Sequence, residues 1–260
     1  MSDCPKLPAA LVELAAAPYR SVGLHPWLFA RGKFGGDPAF AGLLRLGLIP
    51  SQSRLLDLGC GQGLLGALLY AASAQCTNWP QGWAAPPQDV VVRGIDSAAR
   101  EVRWAEHMAS ACGGDDSCGG SARMKFDKGD ICKVEFGRHD TVVLLDVLHY
   151  LPFDTQLQLL TRVRDCLMPG GRLLLRVADA SAGLGFSASL LVDKLVLAAR
   201  GECRLGLSCR PLAEWQQLLQ TLGFALQTLP MHAGTPFANS MLVGQTTPIA
   251  PASKPHIPQP

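Results

Sequence analysis

Residues 59–63, Gly59-Cys60-Gly61-Gln62-Gly63, set three glycines at alternate positions after the short apolar run Arg54-Leu55-Leu56-Asp57-Leu58. Glycine lets a backbone turn tightly and approach a ligand closely, because it carries no Cβ. The apolar stretch from Leu64 to Ala74 follows at once and reads as a helix. Its first turn offers backbone N–H groups that have no partner inside the helix. A strand, a glycine turn and a helix in this order form a cradle for a nucleotide-like ligand. The overlapping Gly61-Gln62-Gly63-Leu64-Leu65-Gly66 also fits G-x-G-x-x-G, a pattern used for dinucleotides. Asp57 discriminates between ligands: a carboxylate repels a pyrophosphate and attracts an ammonium.

More carboxylates follow at the ends of apolar runs. Asp96 and Ser97 close Val90-Val91-Val92-Arg93-Gly94-Ile95, where a carboxylate can accept hydrogen bonds from both hydroxyls of a ribose. Such an acid usually lies about 20 residues beyond the glycine loop. Here the Pro- and Trp-containing insertion 75–88 accounts for the longer gap. Next come Gly129-Asp130-Ile131, then Leu144-Leu145-Asp146-Val147-Leu148-His149-Tyr150, and finally the turn and apolar run from Leu167 to Leu175.

Taken in order, these segments resemble class I methyltransferases that use S-adenosylmethionine. Leu56 to Gly63 is similar to their first motif, in which an acidic residue precedes G-x-G-x-G. The resemblance spans roughly residues 51–246 and implies S-adenosylmethionine as cofactor. It implies that Asp57 faces the ammonium of the methionine moiety and that Gly59, Cys60, Gly61 and Gly63 cradle the cofactor. Asp96 and Ser97 would hold the ribose. Asp130 would hold the adenine amine, and the backbone N–H of Ile131 a ring nitrogen. Asp146 and Val147 form the motif after the fourth strand. Cys60 is common in this family and needs no redox role. Two other stretches, around Phe29-Ala30-Arg31-Gly32-Lys33 and Gly234-Thr235-Pro236-Phe237, are similar to methyltransferases that accompany bacterial aryl-polyene pigment genes. That likeness implies an aromatic, polyketide-like acceptor, which an acyl carrier protein can present.

Methyl transfer from a sulfonium is a direct displacement, so the enzyme must align the nucleophile and exclude water. A phenol or thiol acceptor also needs a base or a positive charge to ionise it. His149 and Tyr150, at the carboxyl edge of the fourth strand, are the catalytic candidates. His25 and His232 are further candidate bases. Tyr19, Trp27, Arg31, Lys33 and His232 are candidate substrate contacts. Arg31 and Lys33 suit either an anionic acceptor or the cofactor's carboxylate. No Asn/Asp-Pro-Pro-aromatic motif follows the fourth strand, and net charge is only +2, so nucleic acid is a poor fit as acceptor. RNA or protein methylation, and cofactor binding without turnover, are the alternative readings.

The surrounding elements must place these groups on one edge. Strands at 54–58, 90–96, 124–126, 140–145 and 171–177 alternate with helices at 64–74, 98–111 and 157–167, which indicates a parallel sheet covered on both faces. A helix at 211–222 precedes two strands, 224–229 and 240–244, joined too closely for a crossover and therefore antiparallel. The expected fold is α/β: a Rossmann-like three-layer sandwich around a mostly parallel seven-stranded sheet with an antiparallel last strand. Residues 1–50 are expected as an N-terminal helical cover, with helices at 8–16 and 38–47 and an irregular segment 19–37. Asp37 is the N-cap of the second of these helices. Residues 51–246 form the cofactor-binding domain, 187–200 read as a further apolar helix, and 247–260 are a Pro-rich tail. The composition, 48% hydrophobic and 17% charged, suits a large core. Nine cysteines without any C-x-x-C pair point to free thiols rather than zinc. With no signal-like run and no apolar stretch of membrane-spanning length, a cytoplasmic protein without a metal is expected.

Overall fold

The computed structural model describes residues 6–75, 79–113, 123–180, 207–231 and 239–246. The expected helix 187–200, the contact residue His232 and the tail 247–260 lie outside these residues. So do the Gly234–Phe237 stretch and parts of the loops at 75–88 and 112–121.

The chain begins with α1 (Ala9–Ala16), a single 3-10 turn (Ala17–Arg20), α2 (Leu24–Gly36) and α3 (Pro38–Arg45). The central unit runs β1 (Arg54–Leu58), α4 (Leu64–Ala74), β2 (Val91–Asp96), α5 (Ala99–Cys112), β3 (Arg123–Lys128) and β4 (His139–Leu145). After a 3-10 turn (Leu148–Tyr150) come α6 (Phe153–Cys166), β5 (Leu167–Ala178), α7 (Leu212–Thr221), β6 (Phe224–Pro230) and β7 (Asn239–Thr246).

One seven-stranded sheet carries the order β3-β2-β1-β4-β5-β7-β6. The strands β1 to β5 pair in parallel, and β7 lies antiparallel to both β5 and β6. The sheet separates two apolar cores, and strand residues alternate between them as the period of two requires. Leu55, Val143 and Leu174 join α1, α4 and α5 on one face. Leu56, Leu58, Leu144 and Leu175 join α6 and α7 on the other. The expected three-layer architecture and antiparallel last strand are both present.

The expectation of an irregular 19–37 segment is corrected. Most of it is α2, despite one proline and three glycines. Pro26 falls in the first helical turn, where a missing N–H costs nothing. Gly32, Gly35 and Gly36 lower intrinsic helix stability, but burial of Pro26, Ala30 and Phe34, the last two in the core shared with α1, offsets that loss. Asp37 is the N-cap of α3 as expected, accepting a hydrogen bond from the Ala39 N–H at 3.1 Å. The helix expected at 157–167 starts earlier, at Phe153 after the N-cap Pro152, and ends at Cys166, where β5 begins.

The strand order reverses direction at β1, which has β2 on one side and β4 on the other. In open α/β sheets the crevice at the carboxyl ends of two such strands is where ligands bind. The glycine loop leaves β1 at that point, and Asp146 leaves β4 beside it.

Candidate cofactor and active site

The glycine loop adopts the geometry that its sequence suggests. Gly59, Gly61 and Gly63 have φ of +76°, +53° and +79°, in the region closed to most side chains. Each faces something different. A Cβ on Gly59 would lie 2.4 Å from Val147 Cγ2, and one on Gly63 would press on Phe126. A Cβ on Gly61 would meet nothing within 4 Å. Gly59 and Gly63 are therefore close approaches within the protein, whereas Gly61 leaves backbone open to a ligand.

Hydrogen bonds hold the loop from both sides. The N–H groups of Gly59 and Cys60 donate to the carbonyl of Ile95 at 2.8 and 3.2 Å. Asp96 accepts from Gly61 N–H at 2.9 Å through one carboxylate oxygen, and from Ala98 N–H at 2.8 Å through the other. From the N-terminal helices, Tyr19 Oη donates to the carbonyl of Gln62 at 2.9 Å, and Gln62 Nε2 donates to the carbonyl of Pro26 at 3.2 Å. The Tyr19 ring is fully buried. Tyr19 thus supports the loop from behind; it does not line the cavity.

A cavity of about 320 Å³ opens between this loop, α2, α5 and the carboxyl edge of β4. That is the scale of a small-molecule site. Asp57, Gly59, Cys60, Gly61, Lys33 and Asp146 line it, together with His25, Phe29, Trp104 and Arg176. Asp57 is only 4% exposed. Burial, with the charge of nearby Asp96 added, pushes its carboxyl up to about 7.

One wall of the cavity is a chain of buried charges. Arg176 on β5, 4% exposed, donates from Nε to Asp146 Oδ1 at 2.8 Å and from Nη2 to Asp146 Oδ2. Its Nη1 reaches Asp37 Oδ1 at 2.5 Å. Lys33 Nζ bonds the other oxygen of Asp37 at 2.8 Å. Burial works against ionisation of both acids, but Arg176 outweighs it, helped at Asp37 by Lys33, so both carboxyls sit below the usual carboxylate range. Asp146 also has φ of +57°, a left-handed backbone that aspartate tolerates better than most residues.

Other anticipated residues lie around this centre. Gly129 N–H donates to the carbonyl of Asp96 at 2.9 Å, which brings the 129–131 turn beside the ribose candidate. The Asp130 carboxylate accepts from Cys132 N–H at 2.9 Å and pairs with Lys133 at 3.4 Å. The Cys132 bond, with Lys133 adding to it, holds the Asp130 carboxyl below its ordinary value. Ser97 is exposed, Ile131 is buried, and Val147 packs on the glycine loop. Asp96 ends β2, Ser97 follows it, and Asp130 and Ile131 follow β3; all four flank the cavity without lining it.

Trp27 and Arg31 also lie outside the cavity wall. The Arg31 and Arg20 guanidinium groups sit 5.9 and 5.4 Å from the Trp27 ring centre, and Arg31 pairs with Glu13 at 2.6 Å. His149 and Tyr150 lie against each other in the turn after β4, ring centres 4.1 Å apart and planes tilted by 53°. His149 is buried, and its carbonyl accepts from Ser208 N–H at 2.8 Å. Gln156, fully buried, donates to the carbonyls of Leu148, Leu151 and Ser208 and so ties this turn to residues 207–210.

Several groups of the site escape a sequence reading. Gln62 looks like a spacer between glycines, and Asp37 looks like an N-cap only. The available signal for the charge chain was Arg176 itself, an arginine inside the apolar run Leu173–Val177. Trp104, Arg100 and Glu101 of α5 reach the cavity with no motif to mark them.

This strand order, the antiparallel β7 and a glycine loop preceded by a buried acid at the switch point define the class I methyltransferase fold. Residues 33–229 match the family described as methyltransferase domain, and the chain belongs to that family. No curated protein matches the chain in sequence. Among solved structures it is similar to an O-methyltransferase family protein from Burkholderia thailandensis, with 18% identity and a TM-score of 0.58 over 85% of this chain and 57% of that one. It is also similar to an O-methyltransferase family 2 protein from Planctomyces limnophilus in complex with apigenin, with 19% identity and a TM-score of 0.59 over 92% and 65%. A third likeness is to magnesium protoporphyrin IX methyltransferase from Synechocystis with bound SAH, with 21% identity and a TM-score of 0.52 over 89% and 83%. The chain thus spans little more than half the length of the first of these proteins. Likeness at these identities concerns the fold.

S-adenosylmethionine is the cofactor of class I enzymes, and the residues present fit it. Asp57 supplies a buried acid for an ammonium, and Gly61 leaves open backbone beside it. Among the described residues, no group of three His, Cys, Asp or Glu is placed to hold a metal. Their five cysteines, Cys60, Cys112, Cys132, Cys166 and Cys209, are free thiols. No described helix is long and apolar enough to cross a membrane.

Proposed function

We propose that this chain transfers a methyl group from S-adenosylmethionine to a small-molecule acceptor that is aromatic or polyketide-like, with carrier-bound aromatic acyl groups among its acceptors. The observation that carries the proposal is Asp57, a buried carboxylate lining a cavity together with the open backbone of Gly61. That pairing suits a ligand that carries an ammonium. The small-molecule part draws support from the aromatic wall of the cavity, Phe29, Phe40 and Trp104. The apigenin in the Planctomyces relative points the same way.

When bound, the cofactor supplies an electrophilic methyl group on a sulfonium, which needs little activation. The protein's task is to bind, orient and exclude water. Asp57 takes the cofactor ammonium, and Gly59, Cys60, Gly61 and Gly63 form the cradle. Asp96 and Ser97 take the ribose, and Asp130 and the Ile131 N–H take the adenine. Asp146 and Val147 close the far side. A phenol acceptor must also lose its proton. His149, with Tyr150 tilted against it, is the base candidate at the β4 edge, and His25 is a second one on the cavity wall itself.

Labelled S-adenosylmethionine offered with phenolic acids, carrier-bound aromatic acyl groups and RNA tests this reading. Label should appear in an aromatic small molecule or acyl group. Label in RNA alone would refute the acceptor class. With an acceptor in hand, His149→Ala should lower kcat about 100-fold, the usual scale for a general base. A wild-type rate would remove His149 from the mechanism and leave His25 to be tested.

A further inference from the structure

Residues 129–138 connect β3 to β4 without helix or strand. Carbonyls in such a connection must find donors outside a regular ladder. Here two guanidinium groups supply them. Arg162, half-buried on α6, donates from Nη1 to the carbonyl of Ile131 at 2.9 Å and from Nη2 to that of Val134. Its guanidinium also lies over the Phe136 ring, 4.4 Å from the ring centre. Arg93 on β2 donates from Nη1 to the carbonyls of Glu135 and Phe136 at 2.9 and 3.0 Å, and from Nε to Asp127 at 2.9 Å. The carbonyls of Ile131, Val134, Glu135 and Phe136 thus rest on two arginines, one from α6 and one from β2.

Inside the turn, the N–H groups of Cys132, Lys133 and Val134 all donate back to Asp130. The first goes to its carboxylate at 2.9 Å, and the other two go to its carbonyl at 2.8 and 3.0 Å. That carbonyl belongs to the peptide unit that joins Asp130 to Ile131. A trans peptide sets its C=O and N–H on opposite sides, so the Ile131 N–H points away from the interior of the turn. Val134 packs back on Gly129, where a Cβ would come within 2.6 Å of its Cγ1. We propose that Arg162 is a positioning residue for the adenine of the cofactor: by joining the Ile131 and Val134 carbonyls in one fork, it fixes the turn whose Asp130 carboxylate and Ile131 N–H meet the purine edge. This rests on the adenine assignment of Asp130 and Ile131 above and goes beyond it, because it makes that contact depend on a residue of α6.

The geometry explains why an arginine serves here. Its planar fork offers donors to two carbonyls at once, and the Phe136 ring fixes the plane of the fork. A lysine brings the same charge on a single nitrogen and cannot reproduce the fork. Arg162→Met keeps an apolar stem against Phe136. It also leaves the Arg93 bonds and the three bonds to Asp130 in place. The variant should therefore fold.

The test is calorimetry with S-adenosylhomocysteine and S-inosylhomocysteine, its deaminated analogue. In the analogue a carbonyl oxygen replaces the adenine amine, and the neighbouring ring nitrogen carries a proton. Both probes keep the ribose and the amino-acid moiety, so only the purine edge differs. The analogue sets an acceptor against Asp130 and a donor against the Ile131 N–H, so wild-type protein should prefer S-adenosylhomocysteine by about 100-fold. Arg162→Met should weaken S-adenosylhomocysteine about tenfold and leave the analogue within about twofold. Arg162→Lys should show a preference between those of wild type and Arg162→Met. Arg164→Met, which removes an exposed charge from the same helix, should keep the wild-type preference. A wild-type preference in Arg162→Met, or in Arg162→Lys whether or not Arg162→Met folds, would overturn the inference. Equal weakening of both probes would overturn it as well, because it would mark general support of the fold. An equal loss of preference in Arg164→Met would also overturn it, because charge alone would then be the cause. Equal binding of both probes by folded wild-type protein would overturn the adenine assignment itself, and the inference with it.

Discussion

Arg176→Met is expected to destabilise the folded protein by about 3 kcal/mol at pH 7, measured by denaturant unfolding. Removing one partner of a buried ion cluster leaves the others uncompensated, at about 3–5 kcal/mol. The low end applies because the Asp146 side chain is 32% exposed and Lys33 still serves Asp37. The pH dependence follows from the direction of the shifts. Asp37 and Asp146 are held below the ordinary carboxylate value in the wild type, so their contribution is present above about pH 4 and fades as pH falls below it. In Arg176→Met both acids lose the partner that holds them ionised, so the penalty should shrink as they take up protons on acidification. Adding Asp146→Asn to Arg176→Met should recover part of the loss at pH 7, since it removes one of the stranded charges.

Asp57→Asn should do the opposite to the empty protein. Burial and Asp96 raise the Asp57 carboxyl to about 7, against an ordinary value near 4. A carboxyl raised on folding favours the folded state while protonated, and that advantage is lost as pH rises through 7. At pH 8 the wild-type protein carries a buried, ionised acid at a cost. Asp57→Asn removes it and should raise the stability of the ligand-free protein by about 1–3 kcal/mol. The gain should shrink as pH falls from about 7 toward 4 and vanish below about 4, where Asp57 is protonated in the unfolded chain as well. Cofactor binding should move the other way. S-adenosylhomocysteine, whose ammonium is served by the ionised form, should bind more tightly as pH rises through 7, with release of a proton. Asp57→Asn should weaken it about 30-fold at pH 8 (about 2 kcal/mol). A variant that is more stable empty and a poorer binder is the signature of a residue kept for function.

The elements that the sequence makes legible are those with local causes. Helix α4 and strand β1 lie at their expected limits, because an apolar run next to a glycine turn admits little else. The antiparallel β6–β7 pair follows from a connection too short for a crossover. Helix α2 is the counterexample. Its glycines and Pro26 suggest a break, and only the buried face of Pro26, Ala30 and Phe34 shows why it is helical. The glycine loop, Asp57 and Asp146 are legible for the same local reason: Asp57 is the penultimate residue of β1, the loop directly follows β1, and Asp146 directly follows β4. The charge chain is not, because Asp37 and Arg176 are 139 residues apart in sequence and meet only through the sheet. Nor is the second layer of loop support, where Tyr19 and Gln62 look like a ligand contact and a spacer. Tyr19 supports the loop from a position where no ligand reaches it, and Gln62 couples the loop to α2.

Calorimetric titration of wild-type protein and Asp96→Ala with S-adenosylhomocysteine tests the central claim most directly. Asp96 holds the Gly61 and Ala98 N–H groups and stands where a ribose must be held. The folded wild-type protein should bind one equivalent, and Asp96→Ala should bind at least about 100-fold more weakly while retaining its circular dichroism spectrum. Absence of binding by folded wild-type protein, or undiminished binding by Asp96→Ala, would contradict the assignment of the glycine loop to S-adenosylmethionine.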